Sequence, residues 1–108
     1  MESELTGWTL EEQGLARTVF ERARARELED LILTLRTRTE DLQSSEDIWQ
    51  LHDFLSIRRH GIEGRQAFQI SGLLIVFAAF VKEGLVEPEE LEGLSADKRA
   101  KISAMALF

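Results

Sequence analysis

From Leu10 to about Leu42 the chain carries a helical pattern for roughly 30 residues, with no proline and only Gly14 to interrupt it. Thr9 and Glu12 stand at capping-box spacing, where each side chain can satisfy the other's free backbone N–H, so the helix has a defined start. Leu15, Val19 and Ala23 form one apolar row, and Leu28, Leu31, Leu35 and Leu42 continue it with a shift in phase. A helix of this length spans about 45 Å. A domain of 108 residues has a radius of gyration of only about 13 Å. The helix therefore outruns the core its own chain can supply, and leucines on its outlying part call for a second chain. Dimerisation, with Leu35 and Leu42 in the seam, is the first expectation.

The rest of the sequence is also helical in pattern. Ser44 and Ser45 are N-cap candidates, followed by Glu46 and Asp47 at the positive end of a helix expected over Ile48 to about His60. Gly61 and Gly64 mark its exit. A segment from about Ala67 to Lys82 is apolar on nearly every face, as a buried central helix would be, and Gly84 fits as its stop. Glu87-Pro88 opens a short helix, and Ser95 caps the last one, with Ile102, Met105 and Leu107 available for packing. The expected class is all-α with about five helices in a single domain over residues 1–108. Residues 1 to about 62 supply a long N-terminal helix and a dimerising hairpin, and about 63–108 a small helical head.

Charge and composition remove several functions. Thirteen Lys and Arg against twenty Asp and Glu leave a formal charge of −7, the opposite of a nucleic-acid footprint. Without cysteine there is no disulfide, thiolate nucleophile or cysteine-held metal. The opening MESELTGW lacks the basic and apolar regions of a signal peptide, and the longest apolar run, Leu73 to Val81, is far short of a membrane span. A cytoplasmic location without membrane insertion is expected. Along the first helix Arg17, Arg22, Arg24 and Arg26 precede Glu27, Glu29 and Asp30. This run reads either as a solvated face laced with short-range ion pairs or as a site for an anionic partner.

Catalytic constellations are missing from the pattern. His52 and His60 are about 12 Å apart along one helix and cannot share an ion. No phosphate loop, zinc motif or nucleophile elbow is present, so neither cofactor nor metal is expected and the chain reads as a non-enzyme. The segment Ile48 to Ile62 is more telling. Ile48, Leu51, Leu55 and Ile62 form one apolar stripe, with Ile48 and Leu55 assigned to the dimer seam. Trp49, Asp53, Ser56 and His60 gather on another face, with His52 and Arg59 at its edge. Trp and Arg are the residue types that anchor protein–protein contacts. Asp53 is expected to orient Arg59 or His52.

The run Asp47-Ile-Trp-Gln-Leu-His-Asp-Phe-Leu-Ser-Ile-Arg-Arg-His-Gly-Ile-Glu-Gly64 resembles the signature region of the cyanobacterial fluorescence recovery proteins. The resemblance continues through Phe80-Val-Lys-Glu-Gly-Leu-Val86, Glu90-Leu-Glu-Gly-Leu94 and Asp97-Lys98, and covers about the last 60 residues strongly. It implies an all-helical dimer that binds the photoactivated red form of the orange carotenoid protein, chiefly at its C-terminal domain. Such a dimer speeds the return to the orange form and ends quenching of the phycobilisome. By the same resemblance Trp49, His52, Asp53 and Arg59 fall on the functional patch, Ile48 at the dimer interface, and Lys101 among the head contacts. The head departs from the pattern: Ile75 stands where a Phe is expected, and Arg65-Gln-Ala-Phe-Gln69 lacks a basic, tyrosine-containing character. Those departures keep open a second reading, a homologous dimeric adaptor acting on a different carotenoid-binding or regulatory protein.

Overall fold

The computed structural model describes residues 7–108, and these fold into four α-helices and one 3₁₀ turn, with no strand. The helices are α1 (Leu10–Glu40), α2 (Ser45–Glu63), α3 (Leu73–Lys82) and α4 (Ala96–Ala106), with the 3₁₀ turn at Pro88–Leu91 between the last two. The all-α expectation is met, and four helices plus one turn stand for the five expected. The described residues divide into two compact units. One contains the chain up to Glu27 together with Phe68–Phe108, and the other is Leu28–Ala67. The first part of α1 is thus a wall of the head, so the head is not confined to the C-terminal residues.

In the head unit, Ala16, Val19, Phe20 and Ala23 recur at the spacing of one helix face, and all are buried. They share a core with Leu73, Phe77 and Phe80 of α3, with Val86, Leu91 and Leu94, and with Ile102 of α4. Phe20 is the aromatic centre: its ring meets Phe68 edge-on at 5.4 Å between centroids and lies 6.0 Å from Phe80. Met105 packs partly against this core as expected, whereas Leu107 is exposed.

The sequence misplaces one boundary. The apolar helix begins at Leu73, not near Ala67, because Gly72 takes a left-handed backbone (φ 76°) just ahead of it. Phe68 and Ile70 nevertheless pack against the core from the preceding irregular segment. At the other end Gly84 (φ 77°) closes α3 as expected. Leu85 N donates to Phe80 O at 2.8 Å and Gly84 N to Val81 O at 3.1 Å, the paired bonds of a Schellman motif.

Two ionic clusters tie the head together, and both reach far along the chain. Glu12 and Thr9 form the expected capping box, with both bonds at 3.0 Å. Glu12 also accepts the Ser95 N–H at 2.8 Å and the Lys98 ammonium at 3.0 Å, so one carboxylate joins the N-terminal ends of α1 and α4. Lys98 donates further to Gly7 O at 2.8 Å and sits 5.0 Å from the ring centre of Trp8, which is buried. Burial alone would raise the Glu12 carboxyl. The N–H groups of Thr9 and Ser95 and the Lys98 charge outweigh that and hold it below its usual range.

The second cluster resolves most of the arginine run on α1. Arg22 and Arg26 both reach Glu90, at 2.9 and 2.8 Å, and Arg26 also donates to Leu85 O at 2.8 Å. Arg17 lies 4.5 Å from the Phe68 ring centre. Arg24 has a short-range partner, Glu27, at 3.8 Å. Arg22 and Arg26 clamp the head through a distant carboxylate while staying partly in solvent. Arg26 is the main reason that the Glu90 carboxyl falls to about 2; burial opposes it, and Glu87 N–H and Arg22 add to it.

A group depressed from 4.5 to about 2 contributes stability that is complete above about pH 4.5 and lost as pH falls through its folded value. Arg22 and Arg26 are 49% and 40% exposed, so solvent screens the pair and the expected contribution is about 1–2 kcal/mol. Urea unfolding should therefore find Glu90→Gln less stable by that amount at neutral pH. The gap between variant and parent should close as pH drops toward about 2. A gap that does not change with pH would refute the assignment.

Candidate partner-binding site

The unit Leu28–Ala67 contains the second part of α1, a short turn and α2, and none of its residues is buried. Ser44 is the N-cap of α2: its hydroxyl accepts Asp47 N–H at 3.2 Å, and Asp47 in return accepts Gln43 N–H at 3.0 Å. This pair makes Ser44, one of the two expected caps, the N-cap and starts α2 at Ser45, ahead of the expected Ile48. The helix passes through Gly61 in helical conformation and ends at Glu63, with Gly64 as its C-cap.

The helix has two distinct sides. Leu51, Phe54, Leu55, Arg58 and Ile62 are half-buried, and the Arg38 guanidinium of α1 covers the Phe54 ring at 4.5 Å. Trp49, His52, Asp53, Ser56, Arg59 and His60 are exposed. Trp49 keeps 64% of its surface in solvent, a large apolar exposure that sets it apart from buried Trp8. Of the expected apolar stripe, Leu51, Leu55 and Ile62 lie on the half-buried side and Ile48 is exposed, while four of the five predicted partner residues share the exposed face.

Within that face Asp53 meets one of its two expected partners, His52, and not the other. Asp53 Oδ1 is 3.4 Å from His52 Nδ1, a weak contact between two largely exposed groups. Asp53 does not hold Arg59. Arg59 Nε instead donates to Glu63 Oε1 at 2.7 Å, one helical turn further on. That hydrogen bond, with the charge of Glu63 behind it, raises the guanidinium above its ordinary value. Glu63 is the functional candidate that sequence reasoning missed, and its signal was the simple i, i+4 spacing of unlike charges.

Lys101 belongs to the other unit. Its ammonium is 3.1 Å from Asp97 on the same helix, and it borders an apolar hollow of about 440 Å³ walled by Trp8, Leu73, Leu74, Ile75 and Met105. Ile75 is exposed at the edge of that hollow. Of the expected seam residues, Ile48 is about half exposed, and Leu35, Leu42 and Leu55 are partly covered. Leu28, Leu33 and Ile57 are more exposed than any of these. Among the described residues no group of three or more His, Asp or Glu is placed to hold a metal ion. No described helix is long and apolar enough to cross a membrane.

Comparison with known proteins bears on this arrangement directly. Residues 8–106 match the family described as photoprotection regulator fluorescence recovery protein. The chain is 42% identical over 99 residues to the fluorescence recovery protein of Synechocystis sp. PCC 6803, covering 92% of this chain and 91% of that one. The solved structure of the Fremyella diplosiphon fluorescence recovery protein is 39% identical, with a TM-score of 0.85 over 94% of this chain and 99% of that one. The Synechocystis structure gives a TM-score of 0.84 at 42% identity, with the same two coverages.

Because the exposed face of α2 has no part in the head core, truncating it should leave the fold intact. Arg59→Leu is expected to keep the parent's helical circular dichroism and to melt within a few degrees of it. A loss of helicity would make the Arg59–Glu63 contact structural.

Proposed function

Since the chain belongs to the fluorescence recovery protein family of photoprotection regulators, we propose that it acts as a homodimer on the photoactivated red form of an orange carotenoid protein. Binding at the C-terminal domain of that partner speeds its reversion to the orange form and so ends quenching of the phycobilisome. The action is non-enzymatic, needs no cofactor and takes place in the cytoplasm. The dimer favours the geometry in which the partner's domains re-dock, and a binder accelerates a transition only by preferring its transition state to its starting state.

The observation that carries this reading is the Leu28–Ala67 unit, rich in leucine and isoleucine and without one buried residue. Helices in water owe most of their stability to a covered apolar face. The missing cover is a second copy, with Leu35, Leu42, Ile48 and Leu55 in the seam. The second α1 and α2 supply the contacts that one chain lacks. The mixed face of Trp49, His52, Asp53 and Arg59 stays available to the partner, Trp49 through its area and Arg59 through its forked donors. Lys101 adds a contact from the head. Exposed Ile75 beside the head hollow supports the alternative of a different carotenoid-binding protein, because the head contact is where this chain departs from the family pattern.

Dark recovery of a photoconverted orange carotenoid protein is the direct test. Substoichiometric amounts of this chain should accelerate it, and an unchanged rate would exclude that partner. Placing a charge in the seam with Ile48→Glu should raise the dimer dissociation constant about a hundredfold or more, since an unpaired buried charge is costly. Sedimentation that still finds a dimer at low micromolar concentration would remove Ile48 from the interface.

A further inference from the structure

Arg59 is 79% exposed, and a long cation so placed in solvent ordinarily samples many rotamers. Here it is held. Glu63 stands one helical turn away and takes the Nε–H in a short charge-assisted bond of 2.7 Å. The choice of atom matters. A guanidinium can grip a carboxylate in two planar ways, along its Nε/Nη side or across its Nη1/Nη2 end. Glu63 occupies the side, and among the described residues neither Nη group has a hydrogen-bond partner. Asp53, the other acid of this face, lies against His52 and leaves that end clear.

We propose that Glu63 is a positioning residue for the partner site: it closes the side of the Arg59 guanidinium and presents its Nη1/Nη2 end to a carboxylate of the partner protein. The proposal rests on the reading of α2 as the partner-binding face. Its physical content is pre-organisation. A side chain already ordered in the free protein loses less freedom on binding, so the complex should dissociate more slowly than it would with a freely rotating Arg59. The opposite role, a competitor that the partner must displace, would have Glu63 weaken binding.

Two measurements decide the matter. In side-chain ¹H–¹⁵N spectra of the free dimer, the Arg59 Nε–H should give an ordered, slowly exchanging signal whose exchange Glu63→Gln speeds while helicity is retained, because the amide oxygen accepts without charge. With a photoconverted orange carotenoid protein as the probe, Glu63→Gln should raise the dissociation rate about threefold and slow catalysed recovery in proportion. In an Arg59→Leu background the same change should have no effect, because Glu63 acts only through Arg59. Tighter or unchanged binding by Glu63→Gln, or an equal loss in both backgrounds, overturns the proposal. If Arg59→Leu itself leaves recovery unaltered, the α2 reading falls and the proposal with it. If Arg59→Leu is impaired and Glu63→Gln is silent, only the proposal falls.

Discussion

One helix of 31 residues has to satisfy two different surroundings, and most of the molecule follows from that constraint. Up to Glu27, α1 is a wall of a close-packed core, with Ala16 and Ala23 small enough to let neighbouring elements approach. Beyond Glu27 the same backbone continues without a break, but its leucines meet no core. A helix cannot stop being amphipathic halfway without cost. Either the second part is polar all round, or its apolar side is covered by something else. Leu28, Leu31, Ile32, Leu33 and Leu35 rule out the first option, and the second is the physical basis of the dimer reading.

The head keeps its part of α1 fixed by ionic contacts as well as by packing. Glu12 and Glu90 are each shared between elements remote in sequence, and each gathers several donors around one carboxylate. Such clusters are directional where apolar contact is not, and they set the position of α4 and of the 3₁₀ turn against α1. Their net stabilisation is modest, because the arginines remain in partial contact with water. Their larger consequence is that three of the cations on α1 and α4 that would suggest an anion-binding surface, Arg22, Arg26 and Lys98, are already engaged inside the head.

What the sequence disclosed divides along the range of the interactions involved. The Thr9–Glu12 box, the Ser44 and Ser95 caps and the Gly84 stop depend on residues within a turn of one another, and all appear where the pattern puts them. The pattern places the start of α3 too early because apolar character alone does not distinguish a helix from the packed irregular segment leading into it. The left-handed turn at Gly72 makes that distinction. The roles of Arg22 and Arg26 were illegible because their acceptor lies more than 60 residues away. The two tryptophans make the same point. Trp8 and Trp49 are chemically identical, yet one is buried beneath Lys98 and the other faces solvent, and only the surrounding elements decide which.

The net charge of −7 gains a more specific meaning from these contacts. With twenty acids to thirteen bases, cations in this chain tend to have a carboxylate within reach, and Arg22, Arg26, Arg59, Lys98 and Lys101 each sit against one. In the head that pairing takes cations out of circulation. On α2 it does something different, because Glu63 takes a single donor of a group that has five. An acidic surface would otherwise repel an acidic partner. On the proposed reading of α2, an arginine with most of its donors free would give such a partner one oriented place to bind. The excess of negative charge would disfavour contact elsewhere, so on that reading specificity owes as much to the repelling background as to the attracting patch.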